Sequence, residues 1–431
     1  DIDITEALDL GFSPMDPVNL TKVTKPSGRQ IFQSYRDNKK GAHAGIDYLP
    51  KLEYKGQDIK IVAPVSGTIT KIYKDCKVGL KTCGHGYGNF VTIEKELIPF
   101  GSTAYVSGAV ARYEFQLAHL SEVGMISSEE GNVLTQGTKI GMMGNTGNSE
   151  AIHLHYEIRD TKTEHIINPL LFGLKIQDSI APRINKLIAY PIGEGSRINR
   201  SVKKQTLAIK KDSLNNYRTN RISASGSIGF GINVYDLLGK ELNKNGVYSI
   251  EMKVNGKRHY YHDVETFSFA ESKYINLLID YPYFATYKNR IQKTFREKET
   301  KLSIYEDLVK DGFVDVKEGF SYKVEIIAKD FKGNRSSVKI PIIGVKSESI
   351  LLQEKDTTNY KILKNKFQKF TEGGVTVAFP KNTFYKDIFI DFSVNGKLAT
   401  IHKPTIPLNK SFTITFDSTM YRKSEVNNIY I

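Results

Sequence analysis

His153-Leu154-His155-Tyr156-Glu157-Ile158-Arg159-Asp160 is the most readable stretch of this 431-residue chain. Read as a β-strand it alternates, so His153, His155, Glu157 and Arg159 face one side while Leu154, Tyr156 and Ile158 face the other. The apolar set can pack a core. The polar set then lines a groove, with the two imidazoles roughly 7 Å apart along the strand. Taken alone, such a pair is as readily exposed or hydrogen-bonded as catalytic. Upstream, from Ile61 onward, GTITKIYK, GYGNFVTIEKEL and YEFQLAHL are further strand-like runs punctuated by Gly and Asn. Together they predict an antiparallel β domain.

The pattern changes after Asn168-Pro169-Leu170-Leu171-Phe172-Gly173, and Ser179-Ile180-Ala181-Pro182-Arg183 reads as a boundary. Beyond it, VYDLLGKEL, GVYSIEMKVNGKRHYY, YKVEIIAKDFKGNRSSVKIPI and DIFIDFSVNGKLATIHK carry hairpin signals, with Asn255-Gly256 and Asn395-Gly396 suited to tight turns. These predict one or two β-sandwich (Ig-like) modules. The charged, turn-poor stretch from Tyr287 to Asp311 is read as a helix or an ordered excursion within the first of them. A second break falls near Lys346 to Asn359. The expected division is an N-terminal segment at 1–25, the first domain at 26–178, a β-sandwich module at 179–345 and a C-terminal β module at 346–431.

Composition agrees with a folded, mainly β chain of roughly two to four domains. Hydrophobic residues make up 40% and charged residues 25%, with 24 Tyr and 22 Phe, which argues against wholesale disorder. No stretch approaches the 18 or so consecutive apolar residues of a membrane span, and the Asp1 start shows no signal-peptide pattern, as expected of a processed end. Cys76 and Cys83 lie in a Gly-rich loop. A local disulfide, suited to an oxidising compartment, is the favoured reading there and free thiols are the alternative.

The net charge of +14 is uneven: residues 1–180 hold 19 Lys+Arg against 21 Asp+Glu, leaving 42 against 26 for residues 181–431. A solvated Lys-rich surface accounts for this, and a surface that attracts anionic envelope polymers is the alternative. No nucleic-acid partner is expected.

Four of the nine histidines fall in three short segments: His43-Ala44-Gly45-Ile46-Asp47, Ala118-His119-Leu120 and His153-Leu154-His155. A catalytic Zn²⁺ needs three protein ligands drawn from imidazole nitrogen and carboxylate oxygen, and His43, Asp47 and His155 would satisfy that count. Gly45 could let the backbone turn tightly between the first two. Strand alternation places His119 on the face of Tyr113, Phe115 and Leu117, where alone it reads as a satisfied histidine beside a core. His85, His165, His259, His262 and His402 have no partner spacing. Glu157 and Arg159 can line the groove or form a surface ion pair worth little.

In this order and at these separations, HAGID, AHL and HLHYEIR closely resemble the lysostaphin-type or LytM-like zinc endopeptidases of bacterial walls. APVSGTITKI, GYGNFVTIE, GMMGNTGNS and INPLLFG are similar to supporting segments of that family, so the resemblance covers roughly residues 25–175. It implies zinc ligands at His43, Asp47 and His155. It also implies that the non-ligand histidines His119 and His153 orient a zinc-activated water, which attacks the scissile carbonyl, and stabilise the tetrahedral intermediate. The implied substrate is the peptide cross-links of peptidoglycan stem peptides, and the implied location is exported: the periplasm or cell envelope, or secreted. One departure concerns the wall of the groove, because Ser149-Glu150-Ala151-Ile152 stands where the family usually has Ser-x-Gly-Pro. Alternatives implied by the same family are a non-catalytic LytM-like adaptor that activates an amidase, and a bacteriolytic enzyme targeted by its basic half. The segment 1–25 could lie over the groove and hold activity in check.

Overall fold

The computed structural model describes residues 44–97, 111–122, 125–174, 178–212, 215–237, 244–346, 358–396 and 398–417. His43, the N-terminal segment 1–25 and most of the break between Lys346 and Asn359 lie outside the described residues.

The chain is mainly β, as its alternation implies. Among the described residues, nine strands build the first domain: β1 (Ile46–Tyr48), β2 (Lys60–Val62), β3 (Gly67–Tyr73), β4 (Asn89–Leu97), β5 (Ala111–Leu120), β6 (Val133–Leu134), β7 (Lys139–Met142), β8 (Leu154–Asp160) and β9 (Ile166–Ile167). The main sheet runs β9-β8-β5-β4-β3-β6, with β1 also paired to β8, and β2 pairs β7 separately. Every pairing is antiparallel. One face packs a core of Ile46, Tyr48, Ile93, Phe115, Leu117, Leu154, Tyr156, Ile158 and Phe172. The alternation of β8 thus buries Leu154, Tyr156 and Ile158 and turns the polar set to the other face.

Next comes β10 (Arg183–Ile198), the first strand of a thirteen-stranded network that includes Ile222–Leu237, Ser321–Lys329 and Arg335–Gly344. Its core gathers Leu187, Ile228, Phe230, Ile250, Met252, Tyr260, Ile326 and Ile340. The hairpin between Ser249–Val254 and Lys257–Asp263 turns at Asn255 (φ 51°) and Gly256 (φ 83°), the left-handed pair that a two-residue turn requires. A last, smaller core holds Ile362, Val377, Phe379, Phe384 and Ile390.

The excursion begins earlier than its composition suggests. Helical turns occupy Ile275–Leu278 and Tyr281–Tyr287, upstream of the charged stretch, with Asp280 capping the second by accepting from the Tyr283 amide. Asp280-Tyr281-Pro282 is a helix start, a cap followed by Pro in the first turn.

This excursion joins the parts. The strand Thr266–Phe267 pairs with β9 and extends the first sheet. Asn168 donates its backbone amide to the Glu265 carbonyl (2.7 Å) and its side-chain amide to the Val264 carbonyl (3.2 Å). Ala44 and Ile166 of the first domain, Phe267, Tyr274, Ile275 and Leu278 of the excursion, and Tyr385 of the last part share one apolar cluster. Among the described residues, no helix is long and apolar enough to cross a membrane.

Candidate active site

Asp47 and His155, 108 positions apart in the sequence, are cross-strand partners on β1 and β8. The pairing puts His155 Nδ1 3.0 Å from Asp47 Oδ1, in surroundings where both residues are buried. Gly45 makes this approach possible, though not by a tight turn. It takes no left-handed angle; instead, a Cβ at Gly45 would lie 2.3 Å from the Tyr156 carbonyl oxygen, so only glycine lets β1 lie this close to β8.

His119 reaches the same place against the alternation of its strand. Its backbone is left-handed (φ 60°), beside a register shift between β4 and β5 at Asn89 and Val91, which frees the side chain from the core face of Phe115 and Leu117. Its amide donates to the Tyr87 carbonyl (2.9 Å). The ring lies 4.7 Å from that of His153 and 5.9 Å from that of His155, centroid to centroid. His119 Nδ1 is 2.8 Å from the Thr146 carbonyl, which can only accept, so Nδ1 carries the proton and Nε2 has the lone pair. Burial first, then the neighbouring His153 and His155, push the His119 pKa down to about 3, leaving it a neutral base near pH 7.

His153 is bridged to Gly144 just ahead of β8. The segment that departs from the family pattern holds its ring: Nδ1 donates to the Ala151 carbonyl (2.8 Å), and Ser149 Oγ lies 3.1 Å away. Nε2 is 3.7 Å from Asp47 Oδ1. The structure thus brings Asp47, His119, His153 and His155 together.

Three further residues, Glu157, Arg159 and Tyr87, belong to the site. Glu157, fully buried, accepts from His155 Nε2 at 3.2 Å, from the Tyr87 hydroxyl at 3.1 Å and from Arg159 Nε. Arg159 also donates to the Tyr87 hydroxyl (2.9 Å), and its guanidinium lies 4.9 Å over the ring of Phe269 from the excursion. The surface ion pair considered for Glu157 and Arg159 is therefore part of a network with Tyr87, in which Glu157 is fully buried and Arg159 partly so. Burial alone would raise the Glu157 pKa, but His155 and Arg159 hold it below the usual carboxylate range. Burial alone would lower that of His155, yet the hydrogen bonds to Asp47 and Glu157 outweigh it and push the value up to about 9. The signal available in sequence was alternation: a strand placing His, Glu and Arg in succession on one face. Nothing local pointed to Tyr87.

Cys76 and Cys83 are disulfide-bonded, with Cα atoms 5.7 Å apart, and close the loop that delivers Tyr87. Closing so short a loop stabilises the fold by about 2 kcal/mol through the unfolded chain. Cys76→Ser with Cys83→Ser is expected to lower the urea midpoint for loss of structure, and an unchanged midpoint would count against the staple. The other described histidines sit apart: His85 is exposed, His165 lies in the loop after β8 with its carbonyl accepting from the Asp160 amide, His259 bonds the Phe313 carbonyl, His262 is buried against Tyr260 and Gln292, and His402 packs on Phe384.

The donor set fits a zinc ion. An imidazole nitrogen and a carboxylate oxygen 3.0 Å apart would need to separate by only a few tenths of an ångström to share one tetrahedral ion with bonds of about 2.0 to 2.2 Å. With Nδ1 given to the ion, Nε2–H would remain donated to Glu157, the carboxylate support that metal-binding histidines ordinarily have. The third expected ligand, His43, lies outside the described residues.

Residues 41–169 match Peptidase family M23. The chain is 32% identical over 152 residues to the DD-carboxypeptidase/endopeptidase Mpg of Neisseria meningitidis serogroup B strain MC58, and 31% identical over 152 residues to that of Neisseria gonorrhoeae. These matches cover 35% of this chain and 26% of the relatives, so the chain spans about a quarter of their length. Among solved structures, a zinc containing peptidase from Vibrio cholerae is 18% identical (TM-score 0.22, 35% of this chain and 36% of that one). The catalytic domain of lysostaphin from Staphylococcus simulans is 22% identical (TM-score 0.23, 33% and 87%).

Proposed function

We propose, from the match of residues 41–169 to Peptidase family M23, that the chain is a zinc-dependent endopeptidase that hydrolyses peptide cross-links of bacterial peptidoglycan. The observation that carries this reading is the convergence of Asp47 and His155, 3.0 Å apart, with two further imidazoles beside them. In the proposal His43, Asp47 and His155 hold the ion. Bound zinc supplies Lewis acidity toward the scissile carbonyl and acidifies water.

The chain's own groups do the rest. Neutral His119, its Nε2 unprotonated, takes the proton that the attacking water loses. His153, its ring fixed by Ala151 and Ser149, would donate from Nε2 toward the carbonyl oxygen as it gains negative charge, provided that nitrogen carries a proton. Glu157, locked by Tyr87 and Arg159, sets the tilt of His155. Stem-peptide cross-links between D-alanine and meso-diaminopimelate are the proposed bonds, and an exported protein of the envelope is the proposed setting, which the disulfide suits.

Incubation of purified sacculi with the zinc-loaded protein, with and without a chelator, tests the reading by mass spectrometry of the products. Soluble muropeptides with newly freed peptide ends, absent with chelator, are expected. Absence of stoichiometric zinc together with stimulation of an added amidase would instead establish an adaptor.

Glu157→Gln keeps the shape of the site and removes the charge. Zinc affinity, read by competition with a chromogenic chelator, is expected to fall about 10- to 100-fold with the fold intact. Unchanged affinity would mean that Glu157 serves packing alone.

A further inference from the structure

Away from the peptidase site, three carboxylates from distant segments meet. Asp178 precedes β10, Asp236 lies near the end of Ile222–Leu237, and Asp330 follows Ser321–Lys329 at the start of the turn Asp330-Phe331-Lys332-Gly333-Asn334. One oxygen from each lies within 4.8 Å of the others. Like charges this close repel strongly unless something positive sits among them.

Asp236 makes the arrangement informative. It is fully buried, and neither of its carboxylate oxygens has a hydrogen-bond partner. The adjacent Leu237 amide favours its charged form without reaching hydrogen-bond geometry, and the two charged groups that act on it are both carboxylates, Asp178 and Asp330. Burial first, then those two neighbours, push its pKa up to about 8. A buried polar atom left unpaired is costly, so an orphaned carboxylate facing two others calls for a counter-charge.

The surroundings are already ordered. Asp330 accepts from the Asn334 amide (2.9 Å) and from the Asn334 side chain (2.8 Å), which also reaches the Asp178 carbonyl (3.3 Å). Ser336 donates to the Pro182 carbonyl (2.5 Å). Buried Asn245 is the cross-strand partner of Asp236. Asp178 is only half-buried and leaves a route inward.

We propose that Asp178, Asp236 and Asp330 bind a calcium ion, which ties the segment leaving the peptidase domain to the β module behind it. The donors are all hard oxygens, with no imidazole or thiolate, which disfavours zinc. Ca²⁺ accepts six to eight oxygens in irregular geometry and tolerates ligands on separate segments, whereas Mg²⁺ demands a near-ideal octahedron. The site is independent of the proposed peptidase activity.

The test uses the full chain, stripped of loosely held divalent ions, with CaCl₂ or MgCl₂ added and followed by thermal unfolding and calorimetric titration. CaCl₂ is expected to raise the midpoint by about 5 °C or more at saturation, with one additional ion bound per chain. Asp236→Asn should remove that response. It should also unfold at the same or a higher temperature than the wild type without calcium, because it relieves the repulsion; this separates loss of a site from loss of the fold. His155→Ala should keep the calcium response, so failure of the zinc assignment would leave this result standing. A wild type indifferent to calcium, or an Asp236→Asn variant that responds as strongly, overturns the proposal.

Discussion

His155→Ala is expected to lose bound zinc and to cut the release of muropeptides from sacculi by about three orders of magnitude or more, since an ion that polarises the carbonyl is worth several kcal/mol in the transition state. The same change removes the group that separates Asp47 from Glu157, both buried. Breaking a buried pair on one side costs about 3 to 5 kcal/mol, so local stability should fall too. Asp47→Asn keeps the volume and a polar contact, and should lose the metal with less damage. Metal analysis beside circular dichroism resolves the two effects. A folded His155→Ala protein that retains full zinc and full hydrolysis would remove His155 from the ligand set.

His119→Ala should leave zinc content near that of the wild type and lower kcat by about two to four orders of magnitude, the usual worth of a positioned general base. In the proposal His119 is not a ligand: its Nδ1 is engaged by the Thr146 carbonyl, and its ring centroid lies 5.9 Å from that of His155 and 4.7 Å from that of His153. A variant with depleted zinc would shift His119 to a metal-holding role. One with wild-type kcat and full zinc would remove it from the chemistry.

The two histidines also show what was legible in the sequence. His155 was readable because β8 is regular: alternation places it opposite Leu154 and Tyr156, and the structure keeps that pattern. His119 could not be placed by the same rule. Alternation assigns it to the face of Phe115 and Leu117, and only the left-handed backbone at that one residue turns it into the groove. The resemblance to a family supplied what periodicity could not. Glu157 and Arg159 were visible on the right face but unweighted, since burial depends on Tyr87 arriving from a disulfide-closed loop some seventy positions away. Asp178, Asp236 and Asp330 carry no spacing signal at all, because their meeting depends on how long strands pair across the module. The joining excursion was located too late in the chain for a related reason. Its charges drew attention, while its apolar half, Phe267 to Phe284, does the packing.

The strand Thr266–Phe267 has a consequence for how such a protein can change over time. It covers β9, whose outer backbone groups would otherwise form a bare margin able to recruit any passing extended peptide. The first domain and its companion therefore cannot be exchanged like beads on a string. Any tail that replaced this one would have to bring its own two-residue seal, in register with Ile166 and Ile167, or leave the sheet open to self-association.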